Sequence, residues 1–186
     1  MKISIRQLTV AGVLGALMIV MGLVGTGIIP VPNLAGAMTL MHIPIIIGAV
    51  VAGPVVGVLL GIIFAVFVSI QFGSVFPLHV LIPGRLLIGP FSYWTFDCVN
   101  RLFKAEGVAS WTTAAGFAAI VGTLTNSIIT LGLGVLFPTI LGETMQARLV
   151  TATGIFLSNT VIELVIAVVV CVPIIVVLKK YFLNQE

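Results

Sequence analysis

Residues 54–72 read PVVGVLLGIIFAVFVSIQF, an uncharged and mostly apolar run set between Gly53 and Gly73. A helix needs about 20 such residues to cross the hydrocarbon core of a bilayer, and this run has that length. The rest of the chain has the same character. Of 186 residues, 60% are hydrophobic and 7% charged, with 8 Lys and Arg against 5 Asp and Glu, and the mean hydropathy is +1.34. A soluble domain carries roughly 25% charged residues, so these few cannot clothe a chain of this size in water. Disorder is excluded for the opposite reason, because too much apolar surface would stay unburied. The solvent is lipid, and the length accommodates about six spans.

Outward from that run, five more spans are expected. Leu8–Ile29 follows Lys2 and Arg6 and is longer than the roughly 7–15 apolar residues of a signal peptide, so it reads as a retained span. Pro30–Gly36 reads as a loop. Met38–Ala52 is the second span, broken from the third at Gly53-Pro54. After the break Gly73–His79 come Val80–Phe103, the polar turn Lys104–Ala109, and Ser110–Phe137. Thr139–Arg148 is the longest outer loop, and Leu149–Leu178 is the sixth span. The expected fold is an all-α integral membrane protein, a single six-helix transmembrane domain over residues 1–186. Lys2, Arg6, Arg101, Lys104, Lys179 and Lys180 fall on one side of such a bundle, leaving Arg85 and Arg148 to the other half. The positive-inside rule then places both termini in the cytoplasm. Basic residues so scattered do not form a nucleic-acid patch. Cys98 and Cys171 have neither CxxC spacing nor a nearby histidine, so no metal site or disulfide framework is indicated.

Small residues mark close helix approaches. Gly53, Gly57, Gly61 and Ala65 stand four apart and line one stripe of the third span, the main device for packing helices in lipid. Ala118 and Gly122 continue to Asn126 on the fifth. Ala11 and Gly15, with Gly12 and Ala16 beside them, cover two faces of the first helix near its cytoplasmic end, where they serve either internal packing or docking of another membrane subunit.

Ionisable groups inside a membrane are costly and mark functional sites by default. Arg85 lies about 7–8 Å below the outer end of the fourth span at 1.5 Å per residue. Its planar, permanently charged fork suits a carboxylate or phosphate, and the alternative is snorkelling to the head groups. Asn159 and Glu163 share a helix face, as do Asn126 and Thr130. Three helices thus bring polar groups to similar depth, the arrangement a small polar ligand requires, although Asn also serves as interhelical glue. Glu163 meets a ligand, neutralises Arg85 or sits protonated. His42, His79, Gln71 and Asn33 lie near the outer loops, where they can close over a ligand, and Tyr93 and Trp94 are candidates for its walls. Asp97 pairs with Arg101. An intramembrane serine protease needs a serine within reach of a histidine base, a zinc enzyme needs clustered ligands, and ATP use needs a Walker A loop; none of these is in the sequence. Nor is there an internal repeat of the kind secondary transporters carry.

Three strings carry a resemblance. Met41-His42-Ile43-Pro44, then Gly53-Pro54-Val55-Val56-Gly57 with Gly61, and Pro83-Gly84-Arg85-Leu86-Leu87-Ile88-Gly89 resemble, in order and spacing, the HIP, GPxxG and PxRxxxG patterns of substrate-binding (S) components of energy-coupling factor vitamin transporters, in the group containing pantothenate S components. The resemblance covers most of the chain. It implies a cell-membrane, multi-pass subunit without its own ATPase or any cofactor, binding a vitamin from outside in a pocket of outer loops and helices four to six. It also implies partners: a membrane coupling (T) subunit, docked through first-helix small residues, and two cytoplasmic ATPases. The family's docking pattern A-x-x-x-A is matched only in part, by Ala11-x-x-x-Gly15. Pantothenate has a carboxylate for Arg85 and an amide and two hydroxyls for Asn126 and Asn159. Hydroxymethylpyrimidine, pyridoxine, cobalamin and folate remain open, as does an autonomous small carrier or channel gated by Glu163 and Arg85, or a structural membrane subunit with no ligand.

Overall fold

The structure is a computed structural model that describes residues 4–32, 36–73, 77–103, 107–137 and 141–183. Helix α1 (Ile5–Val24) starts at a capping box in which Ser4 Oγ accepts from the Gln7 amide and Gln7 Oε1 accepts from the Ser4 amide. A short antiparallel ribbon follows, β1 (Ile28–Pro30) paired with β2 (Ala37–Thr39), Ile28 opposite Thr39. Then come α2 (His42–Ala52), α3 (Pro54–Phe72), α4 (Leu78–Leu102), α5 (Val108–Leu136) and α6 (Met145–Ile155). A π-helical turn, Phe156–Thr160, joins α6 without a break to α7 (Val161–Leu183).

Four helical stretches among the described residues are long and apolar enough to cross a membrane: α1, α3, α5 and the continuous rod Met145–Tyr181. Their outward side chains are apolar, as on Val13, Val20 and Leu23 of α1 and Val161, Val165 and Val169 of α7, which fits a lipid solvent. Helix α4 is long, at 25 residues, but two prolines and its polar residues dilute its hydropathy. The chain is therefore an integral membrane protein built almost wholly of helices.

Three sequence expectations are corrected. The chain is all-helical as expected apart from one short ribbon: the first span ends at Val24 and not at Ile29, and Ile28–Pro30 pair instead with Ala37–Thr39, so that the backbone amides and carbonyls on either side of the expected loop 30–36 satisfy each other. The expected second span, Met38–Ala52, is β2 followed by an 11-residue helix, about 16 Å long at 1.5 Å per residue and so near half the bilayer core. That helix is central: α2 touches α1, α3, α4, α5 and α7, and Ile45, Ile46, Ala49 and Val50 are buried. Lastly, the expected loop 139–148 is already helical from Met145, where Thr144 Oγ1 caps the Ala147 amide at 3.1 Å and Arg148 donates to the Val135 carbonyl at 2.9 Å.

Small residues set the helix spacing around α4. A Cβ on Gly57 would stand 2.7 Å from the Gly89 Cα, and one on Gly61 would press on the Arg85 carbonyl oxygen. The expected α3 stripe thus packs on α4. On the other side of α4, a Cβ on Gly84 would come within 2.9 Å of Thr130 Oγ1 and 3.3 Å of the Asn126 carbonyl. Bare backbone on both flanks lets α4 sit tightly between α3 and α5 and holds Arg85 against α5.

Candidate functional site

At one end of the bundle the ribbon lies over a cavity of about 130 Å³. On the scale of roughly 10–15 Å³ of such space per water, it holds a small organic molecule. Its walls come from the ribbon (Ile28, Ala37, Met38, Thr39), from α4 (Leu81, Arg85), from α5 (Asn126, Ser127, Thr130, Leu131), from the rod α6–α7 (Ile155, Asn159, Thr160, Glu163) and from Val68 of α3. Five of the expected ligand residues meet here: Arg85, Asn126, Thr130, Asn159 and Glu163.

Arg85 is buried. It lies one residue past Gly84, so the close α4–α5 approach brings its guanidinium to Thr130, whose Oγ1 accepts from Nη1. Its carbon Cζ lies 5.4 Å from the centre of the Phe64 ring, a favourable cation–π position. Nε of Arg85 and Oδ1 of Asn126 are buried without a hydrogen-bond partner. Unsatisfied polar atoms of this kind are rare in proteins and costly, and here a donor and an acceptor occur together on residues lining one cavity. Among the described residues, Arg85 and Glu163 form no direct ion pair; the pair that does form is Asp97 with Arg101 at 2.8 Å, one turn apart on α4, as expected. Glu163 is buried, and its Oε1 accepts from the Thr39 amide at 2.7 Å. Asn159 Nδ2 donates to the Ala37 carbonyl at 2.9 Å. These two side chains of the rod thus clasp β2 from below, satisfying ribbon groups that self-pairing leaves over.

Asn159, Thr160 and Glu163 line the cavity because Glu163 lies four residues from Asn159 and three from Thr160, spacings that share one helix face; the π-helical turn Phe156–Thr160 sits where the rod meets the cavity, a feature frequent at functional sites. Ser127 belongs to the polar group that Asn126 and Thr130 form on α5. Thr160 stands beside Asn159 without a sequence signal of its own, and Thr39 has none because its role depends on the ribbon.

Other expected residues lie elsewhere. Trp94 is 58% exposed, edge-on to Phe91 at 5.9 Å, and Tyr93 is half-buried; neither lines the cavity, because they stand about 12–14 Å further along α4 than Arg85 at 1.5 Å per residue, Trp94 on the side of the helix opposite to it. Among the described residues the lining contains no aromatic ring. Gln71 and His79 are exposed, His79 standing edge-on to Phe137 at 4.6 Å. His42 is wholly buried at the start of α2, outside the lining. Asn33 lies outside the described residues. The α1 set divides: Ala11 and Gly15 are buried, and a Cβ on Gly15 would stand 2.8 Å from Ile63 Cδ1, so they pack α1 on α3. Gly12 and Ala16 are exposed, with nothing within 4 Å of a Cβ on Gly12.

The described lining offers one guanidinium, one carboxyl group, amides and hydroxyls, groups able to orient a small polar ligand. Among the described residues no three His, Cys, Asp or Glu side chains gather as a metal site requires. Comparison with known proteins agrees in kind. Residues 6–175 match the family described as the ECF transporter, substrate-specific component. The pantothenic acid transporter PanT of Lactococcus lactis subsp. cremoris (strain MG1363) is 26% identical over 165 residues, covering 76% of this chain and 78% of that protein.

Proposed function

The chain belongs to the family of ECF transporter substrate-specific components, and from that premise we propose that it is the subunit that captures pantothenate from outside the cell. In this reading it is one six-span domain in the cell membrane with both termini cytoplasmic, α4 and the α2–ribbon unit completing the count. It hands its ligand inward when docked, by the exposed Gly12 and Ala16 face of α1, to a membrane coupling subunit that carries two cytoplasmic ATPases.

The observation that carries the ligand assignment is the gathering of Arg85, Asn126 and Asn159 around a small cavity without aromatic lining. Arg85 takes the carboxylate, a fork-to-carboxylate match that is both strong and directional. The Asn126 carbonyl oxygen takes the amide N–H. A cavity of about 130 Å³ with no ring to stack on suits a flexible, aliphatic acid better than folate, pyridoxine or a pyrimidine, and it is far too small for cobalamin. The similarity to a pantothenic acid transporter supports the same choice.

The test is titration of the purified chain, in detergent, with a panel of vitamins. Pantothenate binds tightly and the aromatic vitamins do not. In liposomes the chain alone moves no pantothenate, and ATP-driven uptake needs the partner subunits. Tight binding of an aromatic vitamin with none of pantothenate refutes the assignment.

A further inference from the structure

Among the described residues, the cavity is lined by a guanidinium and a carboxyl group that form no direct ion pair. Arg85 enters from α4 and is engaged by Thr130; Glu163 enters from the rod and is engaged through one oxygen by the Thr39 amide of the ribbon. Both side chains are buried, and both line the cavity. No other hydrogen bond among the described residues reaches the Glu163 carboxylate. An ionised carboxylate is an acceptor only, and a buried one is costly unless its lone pairs are met. The ligand that completes this site therefore carries an acid at one end and a hydrogen-bond donor at the other.

We propose that Glu163 is ionised opposite Arg85 and is the specificity-determining residue of the cavity: it accepts from the hydroxyl-bearing end of the ligand and rejects any ligand with a second anion there. The inference rests on the pantothenate reading. Its hydroxyls lie at the end opposite its carboxylate, so the carboxylate at Arg85 directs them toward Glu163. A phosphate ester at the primary hydroxyl would set like charges together in a water-poor site, where Coulomb repulsion is weakly screened. The subunit thereby distinguishes the free vitamin from its phosphorylated form, without any group that touches the carboxylate end.

The experiment is titration of the purified chain with three ligands: pantothenate, its ester with phosphate on the primary hydroxyl, and the analogue with an ammonium in place of that hydroxyl. The phosphate ester binds at least about 100-fold more weakly than pantothenate, as expected for unit charges a few ångströms apart at an effective dielectric near 20. The ammonium analogue binds within tenfold of pantothenate or better. Glu163→Gln keeps an acceptor for the Thr39 amide and removes the charge; it holds pantothenate within about tenfold and narrows the discrimination against the phosphate ester by at least tenfold. If that variant does not fold, the phosphate and ammonium ligands on the unaltered chain decide alone. Equal binding of the phosphate ester and pantothenate, or unchanged discrimination in a folded Glu163→Gln, overturns this inference and leaves the pantothenate reading standing. Absence of pantothenate binding overturns that reading and this one with it.

Discussion

Replacing Arg85 is the most direct probe of how the cavity works. The guanidinium is buried, donates to Thr130 and lies over Phe64, so it is fixed before any ligand arrives and little ordering entropy remains to be lost on binding. Truncating one partner of a buried, hydrogen-bonded charge pair costs about 2–5 kcal/mol. Arg85→Ala should therefore weaken pantothenate binding by about 30- to 4000-fold, at a factor of ten per 1.4 kcal/mol. Arg85→Lys keeps the charge and loses the planar fork. One charge-assisted hydrogen bond is worth about 1.5–3 kcal/mol, so this variant should fall between the parent and Arg85→Ala. A cycle with the ligand alcohol, in which CH2OH replaces the carboxylate, isolates the contact. The parent should prefer acid to alcohol strongly, and Arg85→Ala should show almost no preference. Isothermal titration in detergent gives all four affinities, and thermal unfolding in the same detergent checks that each variant is folded. If folded Arg85→Ala still prefers the acid as strongly as the parent does, the carboxylate is not at Arg85 and the ligand lies in another orientation.

Asn159→Ala removes the bond to the Ala37 carbonyl; a hydrogen bond of about 1 kcal/mol corresponds to a ligand dissociation rate about fivefold faster, read by stopped-flow displacement, with the association rate little changed. Gly57→Val places carbon against the Gly89 backbone, and overpacking of about 1–3 kcal/mol should lower the thermal unfolding midpoint in detergent; an unchanged midpoint would mean the α3–α4 crossing is looser than it looks. On α1, Gly12→Leu should leave binding by the isolated chain intact but abolish uptake by the assembled transporter. Gly15→Leu, which meets Ile63, should instead lower the stability of the isolated chain.

The helices that were well placed from sequence are those whose limits are set by local chemistry. The boundary between α2 and α3 is legible from sequence, because Gly53 with φ 101° and Pro54 at the first helical turn form a stop and a start that need no tertiary context. Helices α4 and α5 began and ended within about two residues of expectation for similar reasons. What failed was read from hydropathy alone: the end of the first span at Ile29, the span Met38–Ala52 and the start of the last helix. Hydropathy reports that a segment avoids water and is silent on whether a neighbour, a strand partner or lipid replaces it.

Composition and spacing alone determined that the chain lives in lipid, that α3 offers a stripe of small residues to a neighbour, and that Arg85, Asn126, Thr130, Asn159 and Glu163 are the groups whose burial demands a reason. These conclusions follow from transfer energies and helical periodicity, which act residue by residue. The tertiary structure alone decided which of those groups meet, and that Glu163 and Asn159 also clasp a ribbon. It likewise turned Trp94 outward and split the α1 small residues into an inner and an outer face. Each of these depends on the rotation and depth of one helix against another, fixed at contacts such as Gly57 on Gly89 and Gly84 on Thr130, and no period within a single segment encodes that relation.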